Sequence, residues 1–148
     1  MTSEHVTPET PNVATVRRFH HDLWNGGNLA VADEILASDL RFRGSLGYSC
    51  VGIQGFKDYF TQARNAFPDL CAEIHELIDA RDVVVARVTW SATHAGEIFG
   101  IPPTGRRWSY AAAAIFHFDA AGRVVDAWVV ADTQEFWRVL GVAPGKRA

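Results

Sequence analysis

Asp132 stands where the apolar run AWVVA (127–131) gives way to helix-forming residues. A carboxyl group in such surroundings can serve as both acid and base. Apolar burial lifts its pKa towards neutrality, so one group can take a C–H proton beside a carbonyl and later protonate a new alkoxide. The same residue has a plain structural reading, because Asp132 followed by Glu135 is a D-x-x-E capping box opening a final helix. The two roles are compatible. His117, in IFHFD, is the second candidate. On a strand it shares a face with Ala113 and Ile115, and the small Ala111 and Ala113 leave room for a ligand. That predicts a cavity position from which His117 donates to a carbonyl or enolate oxygen; the competing reading is a satisfied core histidine. His94, before the loop at 95–106, either hydrogen-bonds loop backbone or borders a pocket. His20 and His21 point about 100° apart on a helix, so at most one faces inward, and His20 is the candidate. No H-x-x-x-H or H-E-x-x-H spacing occurs, which argues against a metal site.

Around these lie residues that could bind rather than react. Trp128 is in phase with Asp132 on one strand, so a cavity-facing Asp132 implies a cavity-facing Trp128 able to stack on a flat substrate. Asp126, in the same phase, lies close to a hairpin and reads as solvated. Arg41 and Arg43 share one strand face. They could hold a carboxylate or pair with Asp132, or simply form a solvated edge pair.

The chain that must position them has 148 residues, 48% hydrophobic and 21% charged, the size and composition of one globular domain with one core. Aromatics at 11% suit a large core or an apolar pocket. A net charge of −3 recommends neither nucleic acid nor a membrane surface as partner. Cys50 and Cys71, outside any CxxC arrangement, read as reduced thiols. The N-terminus lacks a signal-peptide pattern and no apolar run reaches a membrane span, which predicts a soluble, cytoplasmic protein.

Residues 1–11 read as a flexible arm and 12–148 as a single domain. Asn12 is the expected cap of a helix with Val13, Val16, Phe19, Leu23 and Trp24 on one stripe, stopped by Gly26-Gly27. A second helix runs from Asn28 to about Ala37, and Leu40–Arg43 is a short strand. A third helix follows Gly52 and ends at Pro68. Strands are predicted over Leu70–Ile78, Val83–His94, Arg107–Phe118 and Val124–Asp132, with hairpins at DARD (79–82) and DAAG (119–122), then a helix over 133–140. Helices followed by antiparallel strands give the α+β class. A curved sheet wrapped around the helices would bury both of its faces.

The segment HAGEIFGIPPTGRRW (94–108), the strand and hairpin after it, and GRVVDAWVVAD (122–132) resemble the SnoaL-like polyketide cyclase family of the nuclear-transport-factor-2-like superfamily. The opening VRRFHHDLWNGGNLAVADEILASDL (16–40) is similar to the family's first two helices, and the likeness spans about residues 12–141. It implies a cone-shaped α+β barrel: a curved, mixed, mostly antiparallel sheet around N-terminal helices, enclosing an apolar pocket. It implies homodimers or homotetramers packed through the sheet. It also implies intramolecular aldol condensation of a hydrophobic, aromatic polyketide without cofactor, with Asp132 as acid/base and His117 beside it. Ile115 stands where the cyclases carry a polar amide, and Arg41, Phe42 and Arg43 where many relatives carry histidine or asparagine. Those departures keep two alternatives open: another cofactor-free reaction, such as epoxide opening, isomerisation or dehydration, and a non-catalytic binding or oligomerisation module.

Overall fold

The computed structural model describes residues 9–142, so the arm expected over 1–11 lies mostly outside the described residues. Helix α1 (Pro11–Arg18) starts with proline in its first turn, where the missing N–H costs nothing. Its cap is Thr10, whose hydroxyl accepts from the Val13 N–H at 3.3 Å. Asn12 does not cap; its side chain donates to the Arg81 carbonyl at 2.8 Å, tying α1 to a distant hairpin. The helix continues into a π-helical segment, Phe19–Asn25, that buries Phe19, His20, Leu23 and Trp24. After α2 (Ala30–Ile35) the backbone turns extended at once, so β1 (Leu36–Arg43) begins four residues before the expected Leu40.

A short strand that the sequence does not signal, β2 (Ser49–Val51), precedes α3 (Ile53–Ala66), which buries Phe56, Tyr59, Phe60, Ala63 and Ala66. Then come β3 (Cys71–Ala80), β4 (Val83–Thr93), β5 (Arg107–Phe118), β6 (Val124–Ala131) and the short α4 (Gln134–Val139). The six strands form one open sheet in the order β2-β1-β6-β5-β4-β3. Strands β1 and β6 are parallel and every other pair is antiparallel. The hairpin turns need left-handed backbone, supplied by Gly122 (φ 82°) and, at a non-glycine, by Arg81 (φ 68°). The fold is the expected α+β sheet curved around its helices.

Burial alternates along the strands and defines an inner face. On β5, Trp108, Tyr110, Ala112, Ala114, Phe116 and Phe118 are buried while Arg107, Ser109, Ala111 and His117 are exposed. On β6, Ala127 and Val129 are buried while Trp128 and Val130 stay 48% exposed. The helices therefore cover one face only, a correction to the expectation that both faces are buried.

Candidate active site

Between the helices and the inner face lies a cavity lined by Phe19, Trp24, Phe42, Gly44, Ser45, Leu46, Tyr59, Ala63, Phe67, Leu70, Trp90, Trp108, Tyr110 and Val129. It is narrow. Its atom-free volume is about 470 Å³, part of which is open solvent. A few water molecules or a slender flat molecule fit such a space. Each strand and helix contributes through its inward register: β5 sends in Trp108 and Tyr110, α3 sends in Tyr59 and Ala63, and the turn after β1 brings Ser45 to the mouth. Trp108 and Tyr110 stack with centroids 5.1 Å apart and planes inclined by 13°. Phe67 and Phe136 meet Trp108 edge-on.

The polar lining is neutral and rich in donors. The hydroxyls of Ser45 and Tyr110 are 2.6 Å apart. The Trp108 indole Nε1 is buried and has no hydrogen-bond partner among the described residues, which costs roughly 1–3 kcal/mol. Burial pushes the Tyr59 and Tyr110 phenols above the ordinary tyrosine range, so both stay protonated. Among the described residues no carboxylate, imidazole or ammonium lines the cavity. Its walls can orient and polarise a carbonyl; they cannot remove a proton from carbon.

The residues expected from sequence fall in three places. Most gather on the outer face. Ile115 pairs in register with Trp128, and His117 with Asp126. Arg41 pairs with Asp126 at 3.5 Å. Arg43 donates to the Val129 carbonyl at 3.0 Å and lies over the Trp128 ring at 5.8 Å. The sequence reading expected His117 and Trp128 to face a cavity; both are exposed on the outer face, where Arg41 and Arg43 join them. The relative bulk of the two strand registers carried the missing signal: the inward set on β5 holds two tryptophan- or tyrosine-sized rings and two phenylalanines, whereas His117 shares its register with Arg107 and Ser109.

His20 and His94 are fully buried. The His20 Nδ1 lies 2.9 Å from the Val16 carbonyl, which assigns the proton to Nδ1 and leaves Nε2 without a partner in the chain. Burial, with a smaller push from His21, lowers its pKa to about 4, so the ring is neutral at pH 7. It packs against Trp90 and Phe116, behind the cavity wall. The His94 Nδ1 accepts from the Thr104 N–H at 3.2 Å, pinning the 95–106 loop to the end of β4 as its structural reading predicts. Burial holds its pKa down, against an opposing pull from the Gly96 and Ile101 backbone.

Asp132 occupies neither of its expected environments. It is exposed, directly after β6, with its N–H donating to the Ala111 carbonyl at 3.0 Å. The α4 cap is Thr133, with no side-chain capping bond, and Glu135 pairs with Arg138 at 2.6 Å. The capping box does not form. The Asp132 carboxylate makes no hydrogen bond or ion pair among the described residues. It lies three residues beyond the cavity-lining Val129, about 10 Å along an extended chain. Tyr59, Tyr110 and Ser45 are the polar cavity residues that sequence reasoning missed. Tyr110 shares the register of Trp108; nothing local in the sequence marks Ser45.

Among the described residues no three His, Cys, Asp or Glu side chains are placed to hold a metal ion, and no helix is long and apolar enough to cross a membrane. No functionally curated protein matches the sequence significantly. Solved structures do. AclR of Streptomyces galilaeus, described as a candidate hydroxylase, is 27% identical, with 90% of this chain and 82% of that one covered at a TM-score of 0.77. TsrD of Streptomyces laurentii is 26% identical, with 92% and 99% covered at 0.79. A candidate SnoaL-like polyketide cyclase from Jannaschia sp. CCS1, at 21% identity, shares the fold over 97% and 100% of the two chains at 0.82. The sequence model of the SnoaL-like polyketide cyclases matches residues 14–140, nearly the whole described chain, and the protein belongs to that family.

Proposed function

We propose that the protein is a cofactor-free cyclase that closes a ring in a ketide-like small molecule by intramolecular aldol condensation. The observation that carries this reading is the aromatic cavity furnished with neutral donors and no charge, in a chain of the SnoaL-like family. Such a lining accepts a flat apolar substrate and polarises its carbonyl. Because no lining residue can act as base, the base lies outside the lining, and the candidate is Asp132, exposed just after the strand that contributes Val129. Its carboxylate takes a proton from the carbon beside one carbonyl. The resulting enolate carbon attacks a second carbonyl of the same molecule, forming the C–C bond, and the new alkoxide takes the proton back. A substrate too long for the cavity would have to bring its reactive end out to Asp132.

Epoxide opening assisted by arginine is disfavoured, since Arg41 and Arg43 engage Asp126 and the Val129 carbonyl rather than Asp132. A second reading, a non-catalytic binder of apolar molecules, draws on the exposure of Asp132 and the narrowness of the cavity. The half-reaction separates them. In deuterium oxide the wild-type protein should exchange the acidic C–H of a ketide that it cyclises, and Asp132→Asn should not. Equal exchange by both would remove Asp132 from the chemistry, and none by either would favour the binder.

A further inference from the structure

Tyr59 brings an uncommitted hydroxyl to the cavity. The residue is 7% exposed and belongs to the lining. Three neighbours fix its ring: Tyr48 stacks on it with centroids 4.6 Å apart and planes 5° from parallel, while Phe42 and Trp24 pack at 5.7 and 6.3 Å. Its oxygen makes no hydrogen bond among the described residues. The partnerless side-chain atoms that are sealed from solvent there are His20 Nε2, His94 Nε2 and Trp108 Nε1. Tyr59 Oη is not one of them, so it keeps accessible surface, and the space beside it is the cavity that the residue lines. Gly44, also in the lining, leaves that side of the oxygen clear; a Cβ on it would lie 3.4 Å from Tyr59 Oη. The other hydroxyls of the lining, Ser45 and Tyr110, are engaged with each other at 2.6 Å. Burial, reinforced by Tyr110 and Tyr48, raises the Tyr59 pKa above the ordinary tyrosine range. At pH 7 the group is therefore a neutral O–H donor.

A fixed, unionised donor in an apolar cavity suits a neutral acceptor oxygen on an otherwise apolar guest. We propose that Tyr59 donates a hydrogen bond to a carbonyl oxygen of the ketide bound in the cavity, the carbonyl whose neighbouring carbon loses its proton. The contact strengthens as that oxygen gains charge in the enolate, and Tyr59 keeps its own proton throughout. The inference rests on the cavity being the substrate site of the proposed aldol reaction, and it names the group that polarises the carbonyl there.

The probe is acetophenone isotopically labelled at its carbonyl carbon, a flat ketone with one acceptor oxygen. Infrared difference spectra give the position of the bound C=O band, and equilibrium dialysis gives the dissociation constant, for wild type, Tyr59→Phe and Tyr110→Phe. In wild type the bound band should lie at lower wavenumber than in hexane, as it does for a carbonyl that accepts a hydrogen bond. In Tyr59→Phe it should return to the hexane position, with binding weakened about 5-fold. Tyr110→Phe, which leaves the Tyr59 hydroxyl in place, should keep the low band. A wild-type band at the hexane position overturns the proposal, as does a low band that survives in Tyr59→Phe, or failure of wild type to bind acetophenone up to its solubility. Since the hydroxyl has no partner in the free protein, Tyr59→Phe should melt no lower than wild type. A drop of more than about 4 °C, or failure to fold, would mean that the oxygen is bonded inside the protein, and overturns the proposal too. Neither readout needs turnover. A Tyr59-dependent band in a protein whose ring closure ignores Asp132→Asn would sink the proposed chemistry and leave Tyr59 in place. Ring closure that needs Asp132 in a protein without such a band would do the reverse.

Discussion

His20 sets a lower limit on the pH at which this fold is comfortable. Its imidazole is wholly buried among rings, and burial holds its pKa near 4 against about 6.5 when unfolded. Between those values the unfolded chain binds the extra proton, so stability contributed by the neutral ring is complete above pH 6.5 and is lost as pH falls towards 4. By pH 5 the loss is about 2 kcal/mol. Urea denaturation at pH 7 and pH 5 should show a loss larger in the wild type than in His20→Leu by about that amount, the part due to His94 being common to both. Asp132 gives the opposite expectation. With no bond to α4 in place, Asp132→Ala should leave stability within about 0.5 kcal/mol, whereas a working cap would cost about 1 kcal/mol; the same denaturation midpoints distinguish the two. At this scale the sequence reading expected His117 and Asp132 to face a cavity, and both are exposed. His117 and Asp132 stand in apolar strands whose two registers differ mainly in bulk, and the choice between them is made by the helices that pack against one face.

The 95–106 loop joins β4 to β5 and is anchored on a helix end. Its start lies against the end of α3: the Ala95 and Gly96 N–H groups both donate to the Ala66 carbonyl at 2.9 Å. A Cβ on Gly96 would sit 2.6 Å from the Asn65 carbonyl oxygen, a clash with backbone that cannot swing away. Gly96→Ala should therefore destabilise the protein by about 2 kcal/mol or more, read as a lower melting temperature, and a neutral result would show that the loop floats free of α3. The helices α1 and α3 and the long strands β4 and β5 were legible because their apolar spacing is sustained over many residues. The three-residue β2 was not, since its ladder depends on β1 lying alongside. The start of α4 was misread because the D-x-x-E pattern is local, while Glu135 has a nearer partner in Arg138.

At the scale of the whole molecule, the sheet's outer face remains uncovered by helices and carries Trp128 and Val130, each 48% exposed, beside the Arg41–Asp126 pair. We propose that two copies pack through this face, which agrees with the homo-oligomer expected from sequence. Sedimentation equilibrium should then find an oligomer for wild type and a monomer for Trp128→Ala/Val130→Asp, and a wild-type monomer would refute the packing. In the proposed function the cavity inside the sheet binds the substrate and Asp132 transfers the protons, with no part for the outer cluster around His117. The direct measurement is kcat/KM for ring closure by Asp132→Asn beside His117→Asn. The account predicts a loss of about 100-fold or more for the first and a value within a few-fold of wild type for the second; the reverse order would place the reaction on the outer face and contradict it.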